Sequence, residues 1–119
     1  MPYISAKDDR REKLRNGEPA LIAGELNYQI FYYVKHNCKH IIAYKKNIDK
    51  IRMFVKQFLG NKPNYQKYND MTGCLIRCAK EIERRLDIES GWLLDIMDSY
   101  DDEIAKYEDT KIEENGDVE

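Results

Sequence analysis

A chain of 119 residues, 42% hydrophobic and 35% charged, suits one domain with a modest core. No apolar run approaches the roughly 18 residues a spanning helix needs, and charge soon follows Met1-Pro2-Tyr3-Ile4, so neither a membrane segment nor a signal peptide is expected. Three cysteines, an odd number, argue against a disulfide scaffold and for a reducing, cytoplasmic setting. The net charge of −2 hides an asymmetry: residues 35–67 carry nine Lys and Arg against Asp49, and residues 101–119 carry nine acids against two lysines. A basic middle attracts anionic partners; equally, the acidic tail can fold onto that basic face in its own chain or in a neighbour.

In chain order, Asp8 or Asp9 can cap a short helix that ends near Asn16-Gly17, and Pro19 suits the first turn of the next. Ala23, Leu26, Ile30 and Tyr33 or Val34, then Ile41, Tyr44, Ile48, Ile51, Val55 and Phe58, keep helical spacing until Gly60-Asn61-Lys62-Pro63 stops it. Residues 20–59 form either one helix about 60 Å long or two, with a break near Asn37. A further helix is expected from Tyr65 to Leu86, on the face Tyr68, Met71, Leu75, Cys78, Ile82 and Leu86. Asp87 or Ser90 can cap one from Gly91 to Tyr107, on the face Leu93, Ile96, Met97, Tyr100, Ile104 and Tyr107. Asn115-Gly116, between short alternating segments, signals a hairpin, with a frayed tail as the alternative. The expected fold is therefore all-α: a bundle of three to four helices with a long central helix, a helical domain over 1–109, and an acidic tail or short β-hairpin over 110–119.

Four blocks carry a family likeness. They are Met1-Pro2-Tyr3-Ile4; Gly24-Glu25-Leu26-Asn27-Tyr28; Asn69-Asp70-x-x-Gly73 leading to Ala79-Lys80-Glu81 and Arg84-Arg85; and the run from Tyr107 to Val118. Together they resemble a family of short bacteriophage and prophage proteins of unknown function, in which these blocks occur in the same order. This chain is longer, with extra residues after Tyr28 and between Leu86 and Tyr107. The resemblance implies a phage-like origin, hence the cytoplasm of a bacterial host, and draws attention to Glu25, Asn27 and Tyr28. It implies no chemistry.

Asp95, Asp98 and Asp102 share a helical stripe, the spacing with which helical phosphohydrolases hold magnesium. That stripe lies opposite Leu93, Ile96, Tyr100 and Ile104, so a solvated face is expected instead. His36 and His40 make at most half a zinc site, and Cys74 and Cys78, on the apolar side, read as small hydrophobes. Asn69 and Asp70 either cap a helix start or bond Arg84, Arg85 or the segment 107–109; Arg84-Arg85 either bind an anion or pair with Glu81. If residues 20–59 are continuous, Lys35, Lys39, Lys46 and Lys50 lie opposite the main apolar stripe, with Tyr32 among them, and Phe31, Ile42 and Met53 form a second apolar line beside them. Lysines beside aromatic rings suit a phosphate with a stacked base, and the second line suits a subunit interface.

The expected function is that of a non-enzymatic, oligomeric phage-type binding protein, engaging a host protein or sequestering an anionic, nucleotide-like ligand. The candidate ligand residues are Tyr28, Tyr32, Lys35, Lys39, Lys46, Lys50, Asn69, Arg84 and Arg85. The candidate homo-oligomer interface is Phe31, Ile42 and Met53. No cofactor, metal or membrane partner is expected, and nucleic acid ranks below a small nucleotide-like molecule. The alternatives are a metal-dependent phosphohydrolase using the helical carboxylates and an assembly factor without a ligand; the direction in which Asp95, Asp98 and Asp102 face separates them.

Overall fold

The computed structural model describes residues 4–5, 9–38 and 45–117, and within them six helices: α1 Asp9–Arg15, α2 Ala23–Asn37, α3 Lys45–Leu59, α4 Tyr65–Leu86, α5 Gly91–Asp98 and α6 Asp101–Asn115. Among the described residues there is no strand, so the fold is all-α. One core joins Leu14 of α1, Leu26, Ile30 and Val34 of α2, Ile51, Val55 and Phe58 of α3, Met71, Leu75 and Ile82 of α4, and Leu93 and Ile96 of α5. These are the apolar positions whose three- and four-residue spacing marks one face of each helix.

α2 and α4 run parallel, because the Cys74 thiol meets the Ala23 carbonyl at 3.6 Å and the Cys78 thiol meets the Asn27 carbonyl at 4.0 Å, the same offset at both points. Small side chains at this seam, Ala23 on α2 and the two cysteines on α4, let the backbones approach. Two parallel neighbours need a long connection, which α3 supplies. α5 and α6 return antiparallel along α4: Ser90 donates to the Ala79 carbonyl at 2.6 Å, and further along the Tyr107 hydroxyl accepts from the Tyr65 amide at 3.1 Å.

The long central helix is not formed. α2 ends at Asn37, and Cys38 is extended, with φ −110° and ψ 132°. Nor does α2 begin at Pro19 or Ala20; its first helical residue is Ala23, and the Pro19 carbonyl instead accepts from Arg10 at 2.9 Å. Gly17, at φ 96°, adopts the left-handed turn that ends α1, as the Asn16-Gly17 pair predicts. The helix expected over 91–107 is two, interrupted at Ser99-Tyr100, where the Ser99 hydroxyl bonds the Ile96 carbonyl.

The C-terminal hairpin is also overturned. α6 continues through residues 110–115, supported by Thr110 donating to the Lys106 carbonyl and Lys111 paired with Glu114, and Gly116, at φ 83°, closes it. Asn115-Gly116 is thus a helix stop rather than a turn between strands. Past Tyr107 the described residues of α6 are all exposed.

Candidate ligand-binding cleft

α1 is pinned to α2 by a cluster centred on Glu25. The Glu25 carboxylate accepts from Arg10 Nε at 2.8 Å and Arg10 Nη2 at 3.0 Å, and from the Leu21 amide at 2.9 Å, one turn before its own position. It therefore clamps α1 and caps α2 together. The hydrogen bond from Arg10 holds its carboxyl below the usual range. Gln29 adds a second tie, its amide nitrogen donating to the Leu14 and Glu18 carbonyls, both at 2.9 Å.

This docking brings α1 beside the aromatic face of α2 and the C-terminal turns of α4, and between the three lies a cleft of about 640 Å³. Arg11 and Arg15 come from α1, one turn apart. Asn27, Tyr28, Phe31, Tyr32, Lys35 and His36 come from one side of α2 over successive turns, and Glu81, Arg84 and Arg85 from α4. Five of these side chains are cationic at any pH near neutrality. Among the described residues, Arg11, Arg15, Lys35 and Arg85 form no ion pair with a carboxylate. Arg84 binds Glu81 at 2.7 Å, and that hydrogen bond holds the Glu81 carboxyl below its ordinary range.

The cations lie on rings. Along α2, Tyr28 and Tyr32 stack with centroids 5.9 Å apart, and Tyr32 and His36 approach to 4.3 Å. The Arg11 guanidinium stands 5.1 Å over Tyr28, Arg15 stands 5.0 Å over Tyr32 and donates to the Tyr28 hydroxyl at 2.7 Å, and Arg85 stands 4.8 Å over Phe31. Cation–π contacts of this kind hold the guanidinium planes along the rings while their remaining N–H donors stay available. The arrangement supplies charge for a phosphate and flat apolar faces for a planar group.

Of the residues expected from sequence, Tyr28, Tyr32, Lys35, Arg84 and Arg85 meet in this cleft. Lys46 is exposed on α3, and Lys50 lies 5.4 Å from the Phe54 ring and lines a smaller recess of about 250 Å³ that shares Arg15 and Tyr32 with the cleft. Neither lines the cleft itself, because the chain leaves the helix after Asn37. Lys39 lies outside the described residues, as does Ile42. Asn69 is exposed on α4 and takes no part; the cap of α4 is Asn64, whose side chain accepts from the Lys67 amide at 2.8 Å. The apolar line through Phe31, Ile42 and Met53 assumed one helix, yet Phe31 and Met53 sit on different helices, Phe31 under Arg85 in the cleft and Met53 half-exposed on α3. Arg11, Arg15 and the cleft-facing roles of Asn27 and Phe31 escaped the sequence reading. Their only signal was the one-turn spacing of two arginines in a segment otherwise read as polar surface.

Asp95, Asp98 and Asp102 are all exposed, and among the described residues no three His, Cys, Asp or Glu side chains are grouped to hold a metal. His36 lies tilted against Tyr32, and its expected companion His40 lies outside the described residues. Cys74 and Cys78 are buried, and burial pushes their thiols up, Cys74 to about 12 and Cys78 well above its ordinary value. Among the described residues, no helix is long and apolar enough to cross a membrane. No protein-family model matches this chain, and no curated protein or solved structure resembles it significantly.

Proposed function

We propose that the protein binds and sequesters a small anionic, nucleotide-like molecule in the cleft between α1, α2 and α4. The observation that carries this reading is the gathering of four cations, without carboxylate partners among the described residues, and four aromatic rings around one cavity of about 640 Å³, a volume suited to a small ligand. Charge of one sign in a cleft concentrates anions, and rings beside it favour a planar group over a bare phosphate. Retention without turnover is the role proposed, because Asp95, Asp98 and Asp102, the residues a phosphohydrolase reading relied on, point to solvent. The phage resemblance of the sequence supplies a setting in which removing a host nucleotide, such as a defence signal, by binding is useful. Self-association accompanies this proposal. Leu21, Ile22 and Tyr65 are 65, 58 and 59% exposed, apolar surface that a second copy could cover.

The test is a mass-spectrometric search for small molecules carried by the purified protein, followed by titration with nucleoside monophosphates, ribose 5-phosphate and pyrophosphate. Retention of a phosphorylated, base-bearing molecule is expected, with binding that weakens as salt rises. Arg15→Glu and Arg85→Glu should each lower affinity at least about tenfold, as expected for lost charge-assisted contacts, with helical content unchanged. A protein that carries no such molecule and binds none of these probes at millimolar concentration refutes the reading. Light scattering checks the assembly, and Leu21→Glu should reduce the measured mass.

A further inference from the structure

Resting on the nucleotide reading of the cleft, one question remains open within it: what part of a ligand meets the groups that are neither cationic nor aromatic. Two such side chains line the cavity with polar atoms suited to a base edge, Asn27 and Glu81. Asn27 is only 5% exposed, and among the described residues its carboxamide has no hydrogen-bond partner. Its amide atoms are not sealed from solvent, as the unpartnered Gln29 Oε1 and Gln57 Oε1 are, so donor and acceptor both remain open to a ligand in the cavity. Glu81 is the one carboxylate in the lining, with its side chain 13% exposed. Arg84 holds this acid among the five cations, and its remaining lone pairs suit ligand atoms that donate.

The two are close in the fold. The constant offset between the parallel helices sets Asn27 beside Cys78, and Glu81 follows Cys78 by one turn on α4. A carboxylate and a carboxamide on facing helices thus line one cavity. Arg84 occupies one Glu81 oxygen at 2.7 Å, and an ionised carboxylate retains further lone pairs on both oxygens. The matching edge offers adjacent N–H donors to the carboxylate and an acceptor to the amide N–H. Among the common bases, guanine has this order: the N2 amino group and N1–H side by side, then O6. Adenine would turn its N1 lone pair toward the carboxylate, and uracil and cytosine offer no pair of adjacent ring and amino donors.

We infer that the cleft selects guanine nucleotides, with Glu81 accepting from N1–H and N2–H, Asn27 donating to O6, and the phosphate held by the arginines of α1 and by Arg85. Asn27 and Glu81 are then the specificity-determining residues, and the cations serve any phosphorylated ligand.

The experiment is calorimetric titration of the full chain with GMP, IMP, AMP and ribose 5-phosphate at one salt concentration. IMP lacks only the N2 amino group and so isolates the second donor to Glu81. GMP should bind about tenfold or more tighter than AMP and ribose 5-phosphate, with IMP between, the size expected for hydrogen bonds to a charged acceptor. Glu81→Gln should bring GMP level with IMP. Asn27→Ala should shrink the ratio of GMP to ribose 5-phosphate affinity. If Asn27→Ala fails to fold, the ranking of the four probes on the wild-type protein still decides. AMP binding as tightly as GMP, or ribose 5-phosphate matching both, overturns the guanine assignment and leaves the anion cleft standing. Binding of none of the four overturns both.

Discussion

Glu25→Ala is the perturbation that reaches furthest, because the α1 arm of the cleft depends on it. Glu25 accepts two hydrogen bonds from Arg10 and one from the Leu21 amide, at 2.8–3.0 Å. Side-chain exposures of 20% for Arg10 and 13% for Glu25 leave the pair partly shielded from solvent. Hydrogen bonds to a charged group contribute about 1.5–3 kcal/mol each where buried. Partial exposure reduces that, and Arg10 keeps Glu18 and the Pro19 carbonyl as partners in the variant. The expected loss is about 2–3 kcal/mol, which for a chain of this size lowers Tm by about 8–12 °C. Thermal denaturation of wild type, Glu25→Ala, Arg10→Ala and the double variant measures it, and the cycle should return a coupling of about 1–2 kcal/mol. The pH dependence has a definite sign. The Glu25 carboxyl is depressed in the folded state, chiefly by the Arg10 hydrogen bond. Its contribution is therefore fully present above the ordinary glutamate value of about 4.3, and is lost as pH falls through the depressed folded value. The gap between wild type and Glu25→Ala should be open at pH 6 and close in acid. A Tm change below about 2 °C, or a coupling near zero, would refute the clamp and with it the account of how Arg11 and Arg15 reach the cleft.

Three further outcomes follow from the packing. Cys78→Leu forces extra volume into the parallel seam, where the thiol meets the Asn27 carbonyl at 4.0 Å; it should cost about 1–3 kcal/mol by denaturant titration, and a neutral result would contradict the close approach of α2 and α4. Cys38, Cys74 and Cys78 are buried with their thiols pushed up, so the native protein should resist alkylation at pH 8 and label at all three only when unfolded; rapid native labelling of Cys78 would be inconsistent with the core. Deleting residues 110–119 removes only exposed helix among the described residues and should leave Tm within about 2 °C, whereas a large drop would reveal a contact of that helix with another copy.

The helices themselves were legible because local chemistry decides them. The apolar face from Tyr68 to Ile82, bounded by Pro63-Asn64 and by Asp87, specifies α4 over its observed length. The stops at Gly17 and Gly60 follow from the freedom of glycine to take positive φ. The break after Asn37 was one of two readings the pattern permitted, since a polar residue at that point suits a helix interior and a cap alike. Asn115-Gly116 misled because one dipeptide serves both hairpin turns and helix ends; the outcome rested on the i,i+3 and i,i+4 partners before it, Lys111 with Glu114 and Thr110 with the Lys106 carbonyl.

The cleft stands on another footing. Tyr28, Tyr32, Lys35, Arg84 and Arg85 could be named from residue type, helical spacing and family likeness, but nothing in their order along the chain says that α2 and α4 run parallel. That follows from the small-residue seam of Ala23, Cys74 and Cys78, whose fit is a property of two surfaces together. Arg11 and Arg15 join through the Arg10–Glu25 clamp, a contact across 15 residues that no periodicity encodes. Phe31 was placed on the outside because a straight helix was assumed; with the chain turning after Asn37, the same ring lies under Arg85. Residue type and spacing therefore determined which side chains could bind an anion and a planar group. The packing of helices distant in sequence decided which of them meet, because contacts between elements depend on the shapes of both faces and on the path of the chain between them.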